Sequence, residues 1–519
     1  MDVAMHAGGQ HYREGSLASK IGFVVAVVVA ASVGLAIVLQ LQDATYKMWV
    51  IVIVMALVPA ALVISKRPKE VLLFGWVFSL TYNRQYYVFE RVVGYNGTQG
   101  PYVMLPDVCL IGLFAYWMYE RLVGKPDDTP RGAPLWPWFA PFAAICFLSI
   151  FPSERPDWGF YEMLRIAKMG LVLFYIRRNF GRREWMVSLA ALALAVSFQS
   201  AVGIKELITG KAGVIGAEQV GGDVSFLKHF AQGAFTSGIV RGQGTLSHPP
   251  YLACYLLMVI PVLLALALTA SSRRRALLYG LAFLLGCGGL ASTLSRAPWL
   301  LAAVQIVLVV IIMVVKGRFP LQRALGLGIV GSCILGVALI PVRGKLMARL
   351  TGDFTESVNY REEGIEASWT VIQKYPLLGL GLNNTELYFV KYMPDMDWAL
   401  STEDFATRTL HLRAPIVLGN GLLHVAEETG LLGLAAFIFL IIGTFVVGIR
   451  SASVTTDECW PACVGIMLGI MGALGEQFVD APFWIDSVLF TFALYVGMLS
   501  VAAPLFRRTP ARDVSRQLL

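Results

Sequence analysis

Apolar runs long enough to cross a bilayer recur along nearly the whole chain, separated by short polar or basic turns. The first two are residues 21–41 and 48–64, and later examples are residues 185–204 and 298–315. A helix needs about 20 predominantly apolar residues to cross the hydrocarbon core of a membrane. The pattern predicts an all-α polytopic membrane protein with about 12–14 transmembrane helices.

The composition agrees with this fold class. The chain is 57% hydrophobic and 15% charged, with a mean hydropathy of +0.66, whereas a soluble domain carries about 25% charged residues. The net charge of +8 could suggest nucleic-acid binding. However, the Lys and Arg residues cluster in short turns between apolar runs, where they act as topology signals, so we expect no nucleic-acid partner.

The basic turns fall on alternate loops, which places both termini in the cytoplasm and the long polar loops outside it. The chain has no P-loop, so ATP and cytosolic nucleotide-sugars are not expected as direct substrates. We expect three parts: residues 1–342, transmembrane helices 1–11 with a smaller periplasmic loop at 205–249; residues 343–430, a large helical periplasmic loop; and residues 431–519, the C-terminal transmembrane helices.

The large loop contains two helix signals. Asn359 followed by Glu362 predicts a helix start, and Pro376 predicts its end. This helix would carry an apolar stripe of three residues, Ile365, Trp369 and Ile372. A second helix is predicted from about Asn420 to Gly430, leading into the next span. The alternative is a solvated loop with scattered charges.

Arginines outside the large loop are candidate anion ligands. Arg296 follows Ser295 at the mouth of a span, and Arg241 lies in a Gly-rich approach to another. Either could bind phosphate or only anchor a helix end at the interface.

Two cations lie inside a predicted span. Placing the charges of Arg165 and Lys168 inside the membrane costs free energy, and such residues are often functional. They could instead form structural pairs with Asp107 or Glu162.

Two histidines, His248 and His424, lie near the outer interface, and Glu427 and Glu428 follow His424 within one helical turn. A general base needs a side chain whose pKa lies near the operating pH, and the free histidine side chain has such a pKa. The loop has neither an HExxH nor a DxD motif, so we expect chemistry without a metal or another cofactor. Several arginines without a nucleotide site suit a lipid-linked diphosphate substrate, because guanidinium groups bind phosphate and stabilise a leaving diphosphate.

Four motifs in this order resemble the O-antigen ligase family, which also includes O-antigen and exopolysaccharide polymerases and protein O-oligosaccharyltransferases. The matching stretches, which lie between residues 241 and 440, are Arg241 with Gly244-Thr245 and His248-Pro249; Leu294-Ser295-Arg296; Arg361 with Trp369 and Tyr375-Pro376-Leu377-Leu378-Gly379-Leu380-Gly381; and Glu428-Thr429-Gly430-Leu431-Leu432-Gly433-Leu434.

The resemblance implies a metal-independent glycosyltransferase of the bacterial inner membrane, active on the periplasmic face. Its donor would be an undecaprenyl-diphosphate-linked oligosaccharide, and its acceptor a glycan, lipid A-core or protein, with other polysaccharide-assembly proteins as further partners. We expect catalytic roles for His424, Glu428 and Arg361. The expected diphosphate or glycan ligands are Arg241, Arg296, His248, Arg165 and Lys168.

The chain departs from the family at one position. Ligases of this family have a His-Asn pair where this chain has Gly419-Asn420. His424 or His411 could replace the missing histidine, and the departure slightly favours a polymerase over a ligase. A lipid-linked oligosaccharide flippase is the alternative from another class, and it would require Arg165 and Lys168 to line a central cavity.

Overall fold

The computed structural model describes residues 67–87, 100–124, 132–211, 240–246, 248–351, 355–385, 387–388, 420–455 and 459–507. This part of the chain is almost entirely helical. Its α-helices are α1 (Pro68–Ser79), α2 (Leu105–Leu122), α3 (Trp136–Ser149), α4 (Pro156–Asn179), α5 (Arg182–Thr209), α6 (Pro249–Thr269), α7 (Arg273–Ser292), α8 (Arg296–Val315), α9 (Leu321–Leu339), α10 (Arg343–Thr351), α11 (Thr355–Lys374), α12 (Gly421–Val454), α13 (Trp460–Glu476) and α14 (Asp486–Phe506).

Six of these helices are long and apolar enough to cross a membrane: α5, α6, α7, α8, α12 and α14. Two shorter apolar helices, α3 and α13, accompany them. The prediction of an all-α polytopic membrane protein is confirmed. The predicted spans at residues 21–41 and 48–64 lie outside the described residues.

The most buried helices are α6 and α14, with 83% of the apolar stretch of each inside the protein. α6 packs chiefly against α13, α7 and α8, while α14 packs against α4 and α12. In contrast, α9 contacts α7 and otherwise shows an exposed apolar surface, as expected of a helix facing lipid. A short antiparallel pair, β1 (Tyr86–Tyr87) and β2 (Tyr102–Val103), joins Tyr86 to Val103 and Tyr87 to Tyr102.

The first helix of the large loop differs from its prediction. α11 begins at Thr355 rather than at Asn359, although it ends at Lys374, before Pro376, as expected. In the predicted apolar stripe, Trp369 is 56% exposed and Ile365 is 42% exposed, whereas Ile372 is buried.

The face of α11 that packs against α12 includes only Ile372 of that stripe. It carries the small residues Gly364, Ala367 and Ser368, together with Val371 and Ile372, all of them buried. Small side chains allow two helices to approach closely, so the larger apolar residues are left outside. Arg361 lies three residues before Gly364 and is therefore on the inward face.

The second predicted helix is confirmed as the start of α12. The Asn420 side-chain oxygen accepts hydrogen bonds from the main-chain N–H groups of Leu422 at 2.9 Å and Leu423 at 3.1 Å. Asparagine is a preferred N-cap for this reason. Gly430 then kinks the helix with a φ of 68°. The kink separates the turn that carries His424 from the apolar segment that follows.

Candidate active site

Four arginines from four separate segments gather beside the connection between α13 and α14. They are Arg241 before α6, Arg296 in α8, Arg349 in α10 and Arg361 in α11. Arg296 Nε donates to the main-chain oxygen of Arg349 at 3.1 Å, and Arg361 Nε donates to the oxygen of Val479 at 3.2 Å. We call these four residues the arginine cluster.

The turn between α7 and α8 holds two members of the arginine cluster. Arg241 donates from Nε to the Thr293 carbonyl and from Nη2 to Ser295 Oγ, each at 2.8 Å. Arg349 Nε donates to the Leu294 carbonyl at 3.1 Å. Leu294 has a φ of 52°, a left-handed conformation that is uncommon for a leucine and often found at functional sites.

Two buried polar residues of α5 fix the loop that presents Arg241. Glu206 Oε2 accepts hydrogen bonds from the main-chain N–H groups of Gln243 at 2.8 Å and Gly244 at 2.9 Å. The Gln199 amide bonds with the main chain and side chain of Thr245 at 2.9 and 2.6 Å. Sequence reasoning missed Glu206 and Gln199, because their partners are about forty residues away and no local pattern marks them.

The charges of the arginine cluster act on one another. Burial lowers the pKa of Arg241 to about 9; the charges of Arg349 and Arg361 add to this lowering, and Asp480 opposes it. The pKa of Arg349 is lowered by burial and then by Arg296 and Arg361. Such mutual repulsion indicates a site that a bound anion would stabilise.

Asp480 is an acidic neighbour of this group. Burial raises its pKa, while a hydrogen bond from the Ala481 N–H and the charges of Arg361 and Arg241 oppose the increase. Glu476 is a second carboxyl group beside Asp480 and Arg361.

A second group, the glutamate–histidine cluster, is formed by His424, Glu427 and Glu428 at the start of α12. His424 Nδ1 lies 3.2 Å from Glu427 Oε2, and His424 Nε2 lies 3.7 Å from Glu428 Oε1. Residues three and four apart are neighbours on a helix surface. All three side chains are buried, and the His424 ring packs edge-on against Trp484 with 3.9 Å between ring centroids.

Neighbouring elements hold the two carboxyl groups. Ser368 of α11 lies beside the Glu427 side chain, and its hydroxyl donates to the Gly364 carbonyl at 2.7 Å. Glu428 accepts a hydrogen bond from the Asn383 N–H and one from Thr385 Oγ1, the latter at 3.4 Å. The two glutamates are therefore supported from different sides.

The turn at residues 376–381 clamps the main chain of α12 at its break. The Leu380 N–H donates to the Glu427 carbonyl at 2.7 Å, and the Leu431 N–H donates to the Pro376 carbonyl at 2.8 Å. A Cβ at Gly379 would overlap the Glu427 carbonyl oxygen, and one at Gly430 would overlap the Leu377 carbonyl. This contact explains physically why the two glycine-containing motifs occur together in the sequence.

The two predicted cations inside α4 are in ion pairs. Arg165 pairs with Glu162 and donates to the Trp484 carbonyl, and its guanidinium lies 5.2 Å from the Trp484 ring centroid. Lys168 Nζ lies 3.1 Å from Asp107 Oδ2. These pairs correspond to the structural alternative stated for both residues. Arg165 borders the glutamate–histidine cluster through Trp484, whereas Lys168 Nζ lies 4.4 Å from the centroid of the Tyr102 ring, whose hydroxyl donates to Asp486 Oδ2 at 2.7 Å.

His248 lies at the N-terminus of α6, beside Arg241. Burial lowers the pKa of His248 to about 3, and the charge of Arg241 contributes to this lowering. Its imidazole is therefore neutral and adds no positive charge to an anion site.

The connection between α13 and α14 joins the two clusters. It accepts the hydrogen bond of Arg361 at Val479 and carries Trp484 against His424. The Gly421 N–H donates to the Gln477 carbonyl at 2.7 Å, so the start of α12 is attached to the same connection. The structure thus brings Arg241, Arg296, Arg361, His424 and Glu428 to one region and adds Arg349, which sequence reasoning had not selected.

His411 and Gly419, where the sequence departs from the family pattern, lie outside the described residues. Within the described ranges, no three His, Cys, Asp or Glu side chains form a group that could hold a metal ion.

Comparison with known proteins gives one family. Residues 280–438 match the family model described as O-Antigen ligase, and no curated protein matches the chain. The matched region runs from α7 into α12. It includes three arginines of the cluster and the whole glutamate–histidine cluster, while Arg241 and His248 lie before it. The resemblance inferred from the sequence is confirmed.

Proposed function

We propose that this chain, which carries a domain of the O-antigen ligase family at residues 280–438, transfers a glycan from undecaprenyl diphosphate to an acceptor hydroxyl at the periplasmic face of the bacterial inner membrane. The reaction would assemble surface polysaccharide by ligation or polymerisation and would need no metal ion. The observation that carries the proposal is the convergence of four guanidinium groups from separate segments beside a buried histidine and two glutamates.

The arginine cluster suits the diphosphate of the donor. A guanidinium presents planar paired donors that match phosphate oxygens, and it keeps its charge at neutral pH. Negative charge increases on the diphosphate as the sugar–oxygen bond breaks. Cations fixed in advance around that position stabilise the transition state more than the ground state.

The glutamate–histidine cluster suits the acceptor. We assign His424 as the base that takes the proton of the attacking hydroxyl, whose oxygen forms the new bond to the sugar anomeric carbon. The bond from that carbon to the diphosphate breaks, and undecaprenyl diphosphate leaves with the electron pair. Glu428, 3.7 Å from His424 Nε2, stabilises the imidazolium that forms.

Turnover of a defined substrate tests the proposal. The purified full-length protein, reconstituted in lipid nanodiscs, is given a synthetic undecaprenyl-diphosphate-linked repeat unit, and free undecaprenyl diphosphate and glycan length are measured. Release of undecaprenyl diphosphate with a longer glycan supports a polymerase. Release only when a lipid A-core or protein acceptor is added supports a ligase or an oligosaccharyltransferase. No release with any acceptor contradicts the proposal.

Variants connect the reaction to the site. Arg296→Ala is expected to abolish transfer while the protein stays in the membrane, and His424→Ala is expected to lower kcat about 10²–10⁴-fold. Arg450→Ala, an exposed arginine at the far end of α12, is the matched control and should behave as the wild type. Normal transfer by Arg296→Ala would remove that residue from the proposed site.

A further inference from the structure

Glu427 has an environment that packing alone does not explain. Its side chain is fully buried, and its Oε1 atom has no hydrogen-bond partner among the described residues. A buried polar atom without a partner destabilises the folded protein. Such a group in a folded protein usually has a functional reason.

The second carboxyl oxygen of Glu427 faces the imidazole. Oε2 lies 3.2 Å from His424 Nδ1, at the edge of hydrogen-bonding distance, whereas Glu428 Oε1 lies 3.7 Å from Nε2. A carboxylate that accepts the proton of one ring nitrogen leaves the other nitrogen as the basic one. The two glutamates therefore stand in different relations to the same histidine.

We propose that Glu427 is a positioning residue for His424, and this inference rests on the proposed role of His424 as the base. Glu427 holds the ring with its proton on Nδ1 and so makes Nε2 the atom that accepts the proton of the attacking hydroxyl. Glu427 itself touches neither substrate.

The surroundings limit both side chains to this arrangement. Ser368 of α11 packs beside the Glu427 carboxyl, and the small residues Gly364 and Ala367 let α11 approach closely enough for that contact. On the other side, the Trp484 ring packs against the imidazole at 3.9 Å. Arg165 donates to the Trp484 carbonyl, and its guanidinium lies 5.2 Å from the centroid of the Trp484 ring.

The family pattern does not provide this pair. The glutamate of its Glu-x-Gly motif corresponds to Glu428, and its histidine would fall at Gly419. With His424 as the base, the residue one turn later that faces its Nδ1 is Glu427.

A double-mutant cycle tests the inference. In nanodiscs, with the synthetic lipid-linked repeat and saturating acceptor, kcat and donor KM are measured for the wild type, Glu427→Gln, His424→Ala and the double variant. Glu427→Gln keeps the size of the side chain and removes its charge. We expect kcat to fall about 10–100-fold, as for other groups that orient a functional histidine, with donor KM within about twofold.

The decisive comparison is the His424→Ala background. If Glu427 acts through His424, Glu427→Gln should have no further effect there, because coupled residues are not additive. An equal loss in both backgrounds, or a raised KM with unchanged kcat, would overturn the inference. Glu366→Gln, on the exposed face of α11, is the matched control, and thermal unfolding compares the folded state of all variants.

The cycle also separates this inference from the proposed function. If the wild type turns over but His424→Ala keeps full activity, the positioning role of Glu427 is overturned while the transfer reaction stands. If the wild type itself transfers no glycan, the proposed function fails.

Discussion

The arginine cluster and the glutamate–histidine cluster lie on the same connection but are built in opposite ways. The first draws side chains from four segments that are far apart in sequence. The second lies within one turn and a half of α12. An anion site needs charges that converge from several directions, whereas a base and its orienting group need only one fixed distance.

Their charge balance differs as well. Arg241, Arg349 and Arg361 donate to main-chain carbonyl groups, which fix a guanidinium without cancelling its charge. In the other cluster, an imidazole lies between two carboxyl groups, so a positive charge formed there is neutralised locally. The arginine cluster is therefore suited to binding an anion, and the glutamate–histidine cluster is suited to accepting a proton.

The loss of Arg361 is expected to have a large effect on turnover. Arg361→Ala should lower kcat/KM about 10³-fold, since removing one fixed donor to a developing anion costs about 2.7–4 kcal/mol. Donor turnover in nanodiscs measures the change. Arg361→Lys should be intermediate, because an ammonium keeps the charge but not the planar pair of donors. Wild-type turnover by Arg361→Ala would remove the arginine cluster from catalysis.

The clamp on α12 is tested by stability. Gly430→Ala should destabilise the protein by about 3 kcal/mol, because alanine is strained at a positive φ and its Cβ would overlap the Leu377 carbonyl. Thermal unfolding in detergent gives the change in Tm. The control is Gly328→Ala in α9, where an added Cβ meets no atom within 4 Å. Equal Tm values for both variants would contradict the clamp.

A kinetic difference should distinguish binding of the anion from transfer of the proton. Arg349→Ala is expected to raise donor KM about 10–100-fold, since a hydrogen bond to a charged group contributes about 1.5–3 kcal/mol. His424→Ala should instead lower kcat and leave KM nearly unchanged. Inorganic pyrophosphate should inhibit the Arg349 variant more weakly than the wild type. Arg343→Ala, an exposed change in the same helix, is the control.

The smallest expected effect is on the pH profile. Because the pKa of Arg241 is about 9, the free enzyme loses one cation as the pH rises through this value, and kcat/KM for the donor should fall. At saturating donor, kcat should fall less, since a bound diphosphate raises the pKa again. Asp480 raises the pKa of Arg241, so Asp480→Asn should move the decrease to lower pH. A decrease that does not move would exclude Arg241 as its cause.

The local features were predictable from the sequence. The predicted spans at residues 185–204 and 298–315 fall within α5 and α8, because length and hydropathy define such a span. The start of α12 followed from Asn420, whose capping bonds involve only its next neighbours. His424 and Glu428 followed from helical spacing.

The non-local features were not predictable in the same way. Arg349 belongs to the site because α10 returns to the turn at Leu294, fifty-five residues earlier in the chain. The packed face of α11 could not be inferred from apolar periodicity, because it includes the small residues Gly364 and Ser368. Ion pairs of Arg165 and Lys168 were one of two alternatives from the sequence, and the structure contains both pairs.

The main chain at Gly430 has a consequence for how the protein can move. In an unbroken helix the Leu431 N–H would donate to the Glu427 carbonyl. Here the Leu431 N–H donates to the Pro376 carbonyl, and the Glu427 carbonyl accepts from the Leu380 N–H. Each bond left open in a water-poor region would cost about 1–3 kcal/mol. The part of α12 before Gly430 therefore cannot pivot independently of the turn at residues 376–381. Under the proposed function, donor and acceptor would approach a histidine whose helical turn is attached to this neighbouring turn.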